Sequence, residues 1–134
     1  MAKRAINGHS KKPQSIWIGK RILNSPEYAR LSPKAVKMLL DIWVQYTGFN
    51  NGDLSAPWSL MRPRGWQSKG TMHAAIKELE KAGWLERTRQ GGKHKCNLYA
   101  LSGYPIDKCN GKHDRRPTKK ASQLWLDHKP ATDK

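Results

Sequence analysis

Apolar residues recur at helical spacing in two stretches of this chain. The first stretch follows Ser32-Pro33 and contains Val36, Leu39, Leu40, Trp43 and Val44. The second follows Ser68 and contains Met72, Ala75, Ile76 and Leu79. A period of about 3.6 residues, a serine before each stretch and a glycine after it predict helices over residues 33–47 and 69–82.

Shorter patterns predict the elements around these helices. Ser25-Pro26 starts a short helix through Arg30, and a helix from Pro57 cannot continue past Pro63. Other apolar runs predict strands, at residues 16–18, 54–56, 84–90 and 95–102. A turn at Gly91-Gly92 joins the last two into a hairpin. The pattern therefore predicts an α+β domain over residues 16–103, with three main helices and a C-terminal β-hairpin.

Both ends of the chain are polar. Residues 1–15 have no periodicity, which is typical of a disordered basic arm. Residues 104–134 are interpreted as a basic polar tail, in which residues 122–126 form one or two turns of helix. Trp43 and Trp84 are expected in the core and Trp58 and Trp66 beneath the helix after Pro57. Trp17 and Trp125 are expected to pack the terminal segments onto the domain or a second subunit.

Positive charge is concentrated in particular segments. The chain has 26 Lys and Arg against 10 Asp and Glu, a net charge of +16. Counted by segment, basic and acidic residues number six and none in 1–21, three and three in 22–61, nine and three in 62–95, and eight and four in 103–134. Such an excess favours a polyanionic partner, and within residues 22–102 it lies in one stretch, residues 62–95.

Several classes of protein are disfavoured by the composition. Two cysteines, Cys96 and Cys109, do not make a disulfide scaffold, and no apolar run is long enough to span a bilayer. Without an apolar signal segment the expected location is the cytoplasm. We expect neither an enzyme nor a cofactor, because no carboxylate pair, Ser-His-Asp arrangement or phosphate-binding glycine loop is present.

The order of elements resembles the winged helix-turn-helix superfamily of DNA-binding domains over residues 25–102. The most specific piece is residues 68–85, SKGTMHAAIKELEKAGWL, which is similar to a recognition helix leading into the first wing strand. Residues 86–95, ERTRQGGKHK, are similar to the wing, which closes with residues 97–101, NLYAL. The upstream pattern from Ser25 to Asp53 is also similar to small helix-turn-helix proteins of phages and mobile elements.

The resemblance implies that double-stranded DNA is the partner and that the 69–82 helix enters its major groove. The helix face opposite the apolar stripe is small or basic, and the hairpin tip is basic. The implied DNA-binding residues are Arg62, Arg64, Ser68, Lys69, Gly70, Thr71, His73, Ala74, Lys77, Lys81, Arg87, Arg89, Lys93, His94 and Lys95. Lys69 and His73 are placed for base or phosphate contact, and the other cationic residues for phosphates.

The sequence leaves several functions and partners open. A transcriptional regulator is the leading hypothesis, followed by an accessory or initiator protein for replication or transfer of a mobile element, then a protein-binding adaptor with the same fold. RNA is a lesser alternative, and a homodimer through residues 16–18 or 124–126 is conceivable. A zinc site of His94, Cys96, Cys109 and His113 is a further alternative, because Cys109 and His113 have zinc-ligand spacing.

Overall fold

A computed structural model describes residues 14–118 and 120–122 of the chain. The protein is a mixed α+β structure with one two-stranded antiparallel sheet in the described residues. The helices are α1 (Lys20–Leu23), α2 (Pro26–Ala29), α3 (Pro33–Trp43), α4 (Trp58–Met61) and α5 (Lys69–Lys81), the strands are β1 (Leu85–Arg89) and β2 (Leu98–Leu101), and 3₁₀ turns lie at Arg62–Arg64 and Cys109–Gly111.

The predicted start signals of three helices are confirmed. The hydroxyls of Ser25, Ser32 and Ser68 accept hydrogen bonds from the backbone N–H groups three residues later, which otherwise have no intrahelical partner. The end of α5 is also as predicted, because Gly83 adopts a left-handed conformation with φ of 84°. Helix α1 is not anticipated by the apolar pattern.

Helix α3 is shorter than its apolar pattern predicts: it ends at Trp43, not at residue 47. The residues after Trp43 leave the helix axis because the Gln45 side chain hydrogen-bonds to Ser55, in the loop before α4. Its side chain accepts from Ser55 N at 3.0 Å and donates to Ser55 O at 2.8 Å. The Asn50 side-chain amide donates a hydrogen bond to the Gln45 carbonyl at 2.9 Å. The pattern cannot reveal these long-range bonds, so the prediction of residues 33–47 is wrong at its end.

Two predicted strands are absent or reduced. Residues 16–18 form no strand; Ile16 and Ile18 instead pack half-buried against the core. The side chain of Trp17 is 82% exposed, so it does not pack onto the domain. The strand predicted over residues 54–56 is a single bridge, in which Leu54 exchanges backbone hydrogen bonds with Tyr99.

The hairpin is present but shorter than predicted. Strand β1 pairs antiparallel with β2 from Leu85 opposite Leu101 to Arg89 opposite Leu98, with an irregularity between Arg87 and Arg89. The tip is closed by a bridge between Gly92 and Lys95. The turn is therefore centred on residues 93–94, not on Gly91-Gly92, and His94 takes the positive φ of 65°.

The core lies between α3, α5 and the sheet. The largest side chains buried there include Met38 and Ile42 of α3 and Met72 and Leu79 of α5. Each such side chain contributes about 1.5–3 kcal/mol on burial, so this packing fixes α5 relative to the rest of the fold. The tryptophans at positions 43, 66 and 84 are buried and Trp58 is half-buried against the core, as expected.

Packing continues beyond residue 103, where the sequence places the end of the domain. Ile106 is buried, and the Asn51 amide donates to the carbonyls of Leu101, Tyr104 and Pro105 at 2.9–3.1 Å. Thr118 N donates to Ile106 O at 2.9 Å. Residues 104–118 are thus part of the folded unit.

The arm predicted at residues 1–15 and the helix predicted at 122–126, including Trp125, lie mostly outside the described residues. Within the described part of the chain, none of the helices has the length and apolar composition that crossing a bilayer requires.

Candidate nucleic-acid interface

Helix α5 presents a small and basic face to solvent. Lys69, His73, Lys77 and Lys81 are all exposed on this helix, and for the last three the periodicity predicts it. Gly70 and Ala74 lie exposed among them, and Thr71 is half-buried beside the Ser68 cap. Because these side chains are short, another surface can approach the helix backbone closely between the cationic groups.

The acidic residues of the basic stretch are turned away from this face or paired. The Glu78 carboxylate accepts from Ser32 N at 2.9 Å and Ser32 Oγ at 2.7 Å, so it ties α5 to the start of α3. Glu80 binds Arg87, and the buried Glu86 binds Arg115 and Ser122. Among the described residues, none of the α5 lysines forms an ion pair, so their charge is uncompensated.

An open groove of about 370 Å³ separates α5 from the tip of the hairpin. We call it the α5–hairpin groove; its lining is Ala56, Pro57, Trp58, Lys69, Met72, His73, Ile76, Gly91, Gly92, Lys95, Cys96, Asn97 and Tyr99. Lys69 and His73 line one wall and Lys95 the other. The fold thus brings together predicted residues that are more than 20 positions apart in the chain.

The hairpin tip holds its three basic residues in a defined turn. Lys93, His94 and Lys95 are all exposed. Behind them, Gly91 N donates to Asn97 Oδ1 at 2.5 Å. A Cβ atom at Gly91 would lie 2.6 Å from the Lys95 carbonyl oxygen, whereas a Cβ at Gly92 would meet nothing within 4 Å. Only the first glycine is therefore required by the close approach of backbone.

The hairpin arginines are held by the protein itself. Arg87 makes two hydrogen bonds to Glu80, at 3.0 and 3.1 Å, which raise the pKa of its guanidinium. Arg89 donates to the carbonyls of Cys96 at 2.8 Å and Lys112 at 3.3 Å. These two predicted residues brace the hairpin, and the structure does not bring them to the α5–hairpin groove.

Arg62 is exposed beside α4, whereas Arg64 belongs to a network around a buried carboxylate. Asp41 accepts from Arg64 Nε at 2.9 Å, Trp66 Nε1 at 2.8 Å and Lys37 Nζ at 3.1 Å. Burial alone raises the pKa of Asp41, but these hydrogen bonds outweigh it and hold the pKa below the ordinary 3.8. Asp41 thus anchors the connection between α4 and α5 to α3.

The sequence reasoning misses Lys34 and Lys37, two lysines near the start of α5. They line a second open groove, of about 340 Å³, with residues 65–68 and Thr71. They lie in residues 22–61, which contain three basic and three acidic residues, so no charge run marks them. The sequence reasoning also misses Asp41. An acidic residue in the apolar stretch between Met38 and Ile42 could have indicated a buried ion pair.

The zinc alternative is wrong for the described residues, which include all four of its ligands. His113 Nε2 donates to Asp107 O at 2.6 Å and its Nδ1 accepts from Arg115 N at 3.1 Å, so both nitrogens are occupied. Burial raises the pKa of the Cys109 thiol, and His94 lies exposed on the hairpin tip. Among the described residues, no three His, Cys, Asp or Glu side chains are placed to hold a metal ion.

Comparison with protein-family models, curated proteins and solved structures yielded no match to this chain.

Proposed function

We propose that this protein binds double-stranded DNA as a winged helix-turn-helix protein. In this proposal α3, α4 and α5 are the three main helices, α5 is the recognition helix, and the β1–β2 hairpin is the wing. The observation that carries the proposal is the α5–hairpin groove, which has uncompensated cationic side chains on both walls. A duplex backbone is a polyanion that fits between two such walls.

Recognition is divided between α5 and the wing. The major groove is wide enough for one α-helix, and residues near the helix start reach base edges. Lys69 and His73 occupy that position on α5, and the short side chains of Gly70 and Ala74 allow the backbone to come close. Lys93, His94 and Lys95 contact phosphates from the wing, and Lys77 and Lys81 do so from the end of α5.

Base contacts at α5 make the binding sequence-specific, which supports a role as a transcriptional regulator in the cytoplasm. The internal bonds of Arg87, Arg89 and Arg64 refine the predicted contacts: these arginines hold the wing and the α4–α5 connection in position. Lys34, at the groove beside the start of α5, is added as a phosphate contact, whereas Lys37 is paired with Asp41.

The experiment is a titration of the purified full chain against duplexes at several salt concentrations. With about six phosphates neutralised, the association constant should fall about a thousandfold between about 50 and 200 mM salt. Selection from a random duplex library should return one preferred sequence. Failure to bind any duplex at low salt would overturn the proposal and favour the protein-binding adaptor.

A further inference from the structure

The α5–hairpin groove has an apolar floor beneath its cationic walls. Met72 and Ile76 of α5 and Tyr99 of β2 are buried side chains of the core, yet each of them also lines the groove. Pro57 and Trp58, at the start of α4, extend this apolar lining. The contacts proposed above for a paired duplex use only the walls, so they leave the floor without a partner.

Trp58 provides an aromatic surface in this groove. It is half-buried, in contrast to the tryptophans at positions 43, 66 and 84, which are buried. Its indole N–H makes no hydrogen bond to the described residues, whereas the indole N–H of Trp66 is bound to Asp41. One part of the Trp58 side chain therefore packs against the core, and the other part is available to a molecule in the groove.

The combination of charge and shape indicates the occupant of the groove. A nucleotide has a flat aromatic base and an anionic phosphate, which match an aromatic floor between cationic walls. In a paired duplex the base faces are stacked inside the helix, and only the base edges are accessible. The volume of about 370 Å³ lies in the range of about 300–1,000 Å³ in which proteins bind small ligands, so one unpaired nucleotide fits.

We propose that the α5–hairpin groove binds an unpaired nucleotide of a DNA strand. Its base stacks on Trp58, and its phosphate lies between Lys69 on one wall and Lys95 on the other. This inference rests on the proposed function, because α5 and the wing hold the paired DNA on either side of that nucleotide. The preferred DNA is therefore a duplex that contains an unpaired base, not a uniformly paired one.

The test is a titration of the full chain against two duplexes that differ only by one bulged nucleotide in the centre of one strand. A bulged nucleotide is already unpaired, so binding it costs little unstacking. The wild-type chain should bind the bulged duplex at least about fivefold more tightly, because stacking of one base on an aromatic side chain contributes about that factor or more.

Substitutions at Trp58 show whether its ring causes this preference. W58L removes the aromatic face and keeps an apolar side chain, so it should bring the ratio of the two affinities close to one. W58F keeps a ring for stacking and should retain part of the preference. Thermal unfolding checks that each variant is folded.

The matched control is W17L. Trp17 is 82% exposed and lies outside the α5–hairpin groove, so it has an accessible aromatic ring without the cationic walls. W17L should leave the ratio of the two affinities unchanged.

Alkylation of cysteine is a second measurement, which needs no substitution at Trp58. Cys96 lines the groove, whereas Cys109 does not. At saturation the bulged duplex should slow alkylation of Cys96 severalfold more than the paired duplex does, because the nucleotide fills the groove. Cys109 should react at the same rate with either duplex bound.

The proposal is overturned if the wild-type chain binds both duplexes equally or if both protect Cys96 equally. It is also overturned if W58L keeps the wild-type ratio or if W17L lowers the ratio as much as W58L does. Equal affinities for the two duplexes leave the proposed duplex binding intact. Binding of the bulged duplex that depends on Trp58, without binding of the paired duplex, would overturn the proposed function instead.

Discussion

The cationic residues within residues 62–95 differ in whether their charge already has a partner within the protein. The guanidinium of Arg87 is bound to Glu80, and that of Arg89 is bound to two backbone carbonyls. The described lysines of α5 and of the hairpin tip form no ion pair. Charge that already has a partner contributes less to binding a phosphate, so the lysines should dominate duplex affinity.

A first prediction follows for the phosphate contacts. Replacing both Lys93 and Lys95 with alanine should weaken binding to every duplex by a similar factor and reduce the salt slope by about 2, because two fewer counterions are released. Binding to two unrelated duplexes at several salt concentrations measures this.

Lys69 and His73, which line the α5–hairpin groove, provide the comparison. Alanine at either position should change the ratio of affinities for the selected duplex and an unrelated one, because a lost base contact affects one sequence only. Equal losses on both duplexes for all four residues would contradict the division between base reading and phosphate binding.

Asp41 is predicted to matter for stability. D41N removes the charge that accepts hydrogen bonds from Arg64, Trp66 and Lys37, and should lower the free energy of unfolding by about 2–3 kcal/mol. Denaturant unfolding at neutral pH measures this. D53N is the control: Asp53 pairs with the exposed Lys112, so its loss should cost less than about 1 kcal/mol.

The pH dependence of this contribution has a defined sign. The folded-state pKa of Asp41 lies below its ordinary 3.8. Its contribution is therefore complete above that ordinary value and is lost as the pH falls through the folded-state pKa. The stability difference between D41N and the wild type should shrink as the pH falls below 3.8. A difference that grows with acid would show that the carboxyl is protonated in the folded protein.

At the scale of elements, the hairpin tip depends on one glycine. G91A places a Cβ within 2.6–2.7 Å of the backbone of Lys95, Cys96 and Asn97, so the loop must move. We expect lower thermal stability and weaker duplex binding, since Lys93 and Lys95 lose their fixed positions. Calorimetry and duplex titration measure the two effects.

Gly92 supplies the matched control for G91A. Its added Cβ meets nothing within 4 Å, and the residue has no positive φ. G92A should therefore leave stability and binding close to those of the wild type. If the two variants behave alike, the tip does not depend on the close backbone approach at Gly91.

At the scale of the whole molecule, residues 104–118 belong to the folded unit. A chain ending at residue 103 loses the burial of Ile106 and leaves the Asn51 amide without two of its acceptors. These losses amount to about 3–5 kcal/mol, a large part of a small domain's stability. A chain ending at residue 122 keeps both contacts.

Denaturant unfolding of the two truncated chains tests this assignment. The chain ending at residue 103 should unfold at a much lower denaturant concentration than the chain ending at residue 122, which should match the full protein. Equal midpoints would show that residues 104–118 add no stability and that the boundary drawn from composition is sufficient.

Local signals in the sequence were enough to predict the best-defined elements. Helix α5 runs from its serine cap to its glycine stop as the periodicity predicts, because both signals act within one turn of the helix. The same periodicity places His73, Lys77 and Lys81 on the exposed face. The hairpin and the α+β class follow from equally local patterns.

What the sequence could not determine depends on partners far apart in the chain. The early end of α3 comes from Gln45 and Ser55, the folding of residues 104–118 from the buried Asn51, and the internal use of Arg64 from Asp41. Composition shows how many charges the chain has, but only tertiary packing decides which of them are already paired. Periodicity likewise predicts an apolar face without saying whether the core or a second molecule covers it.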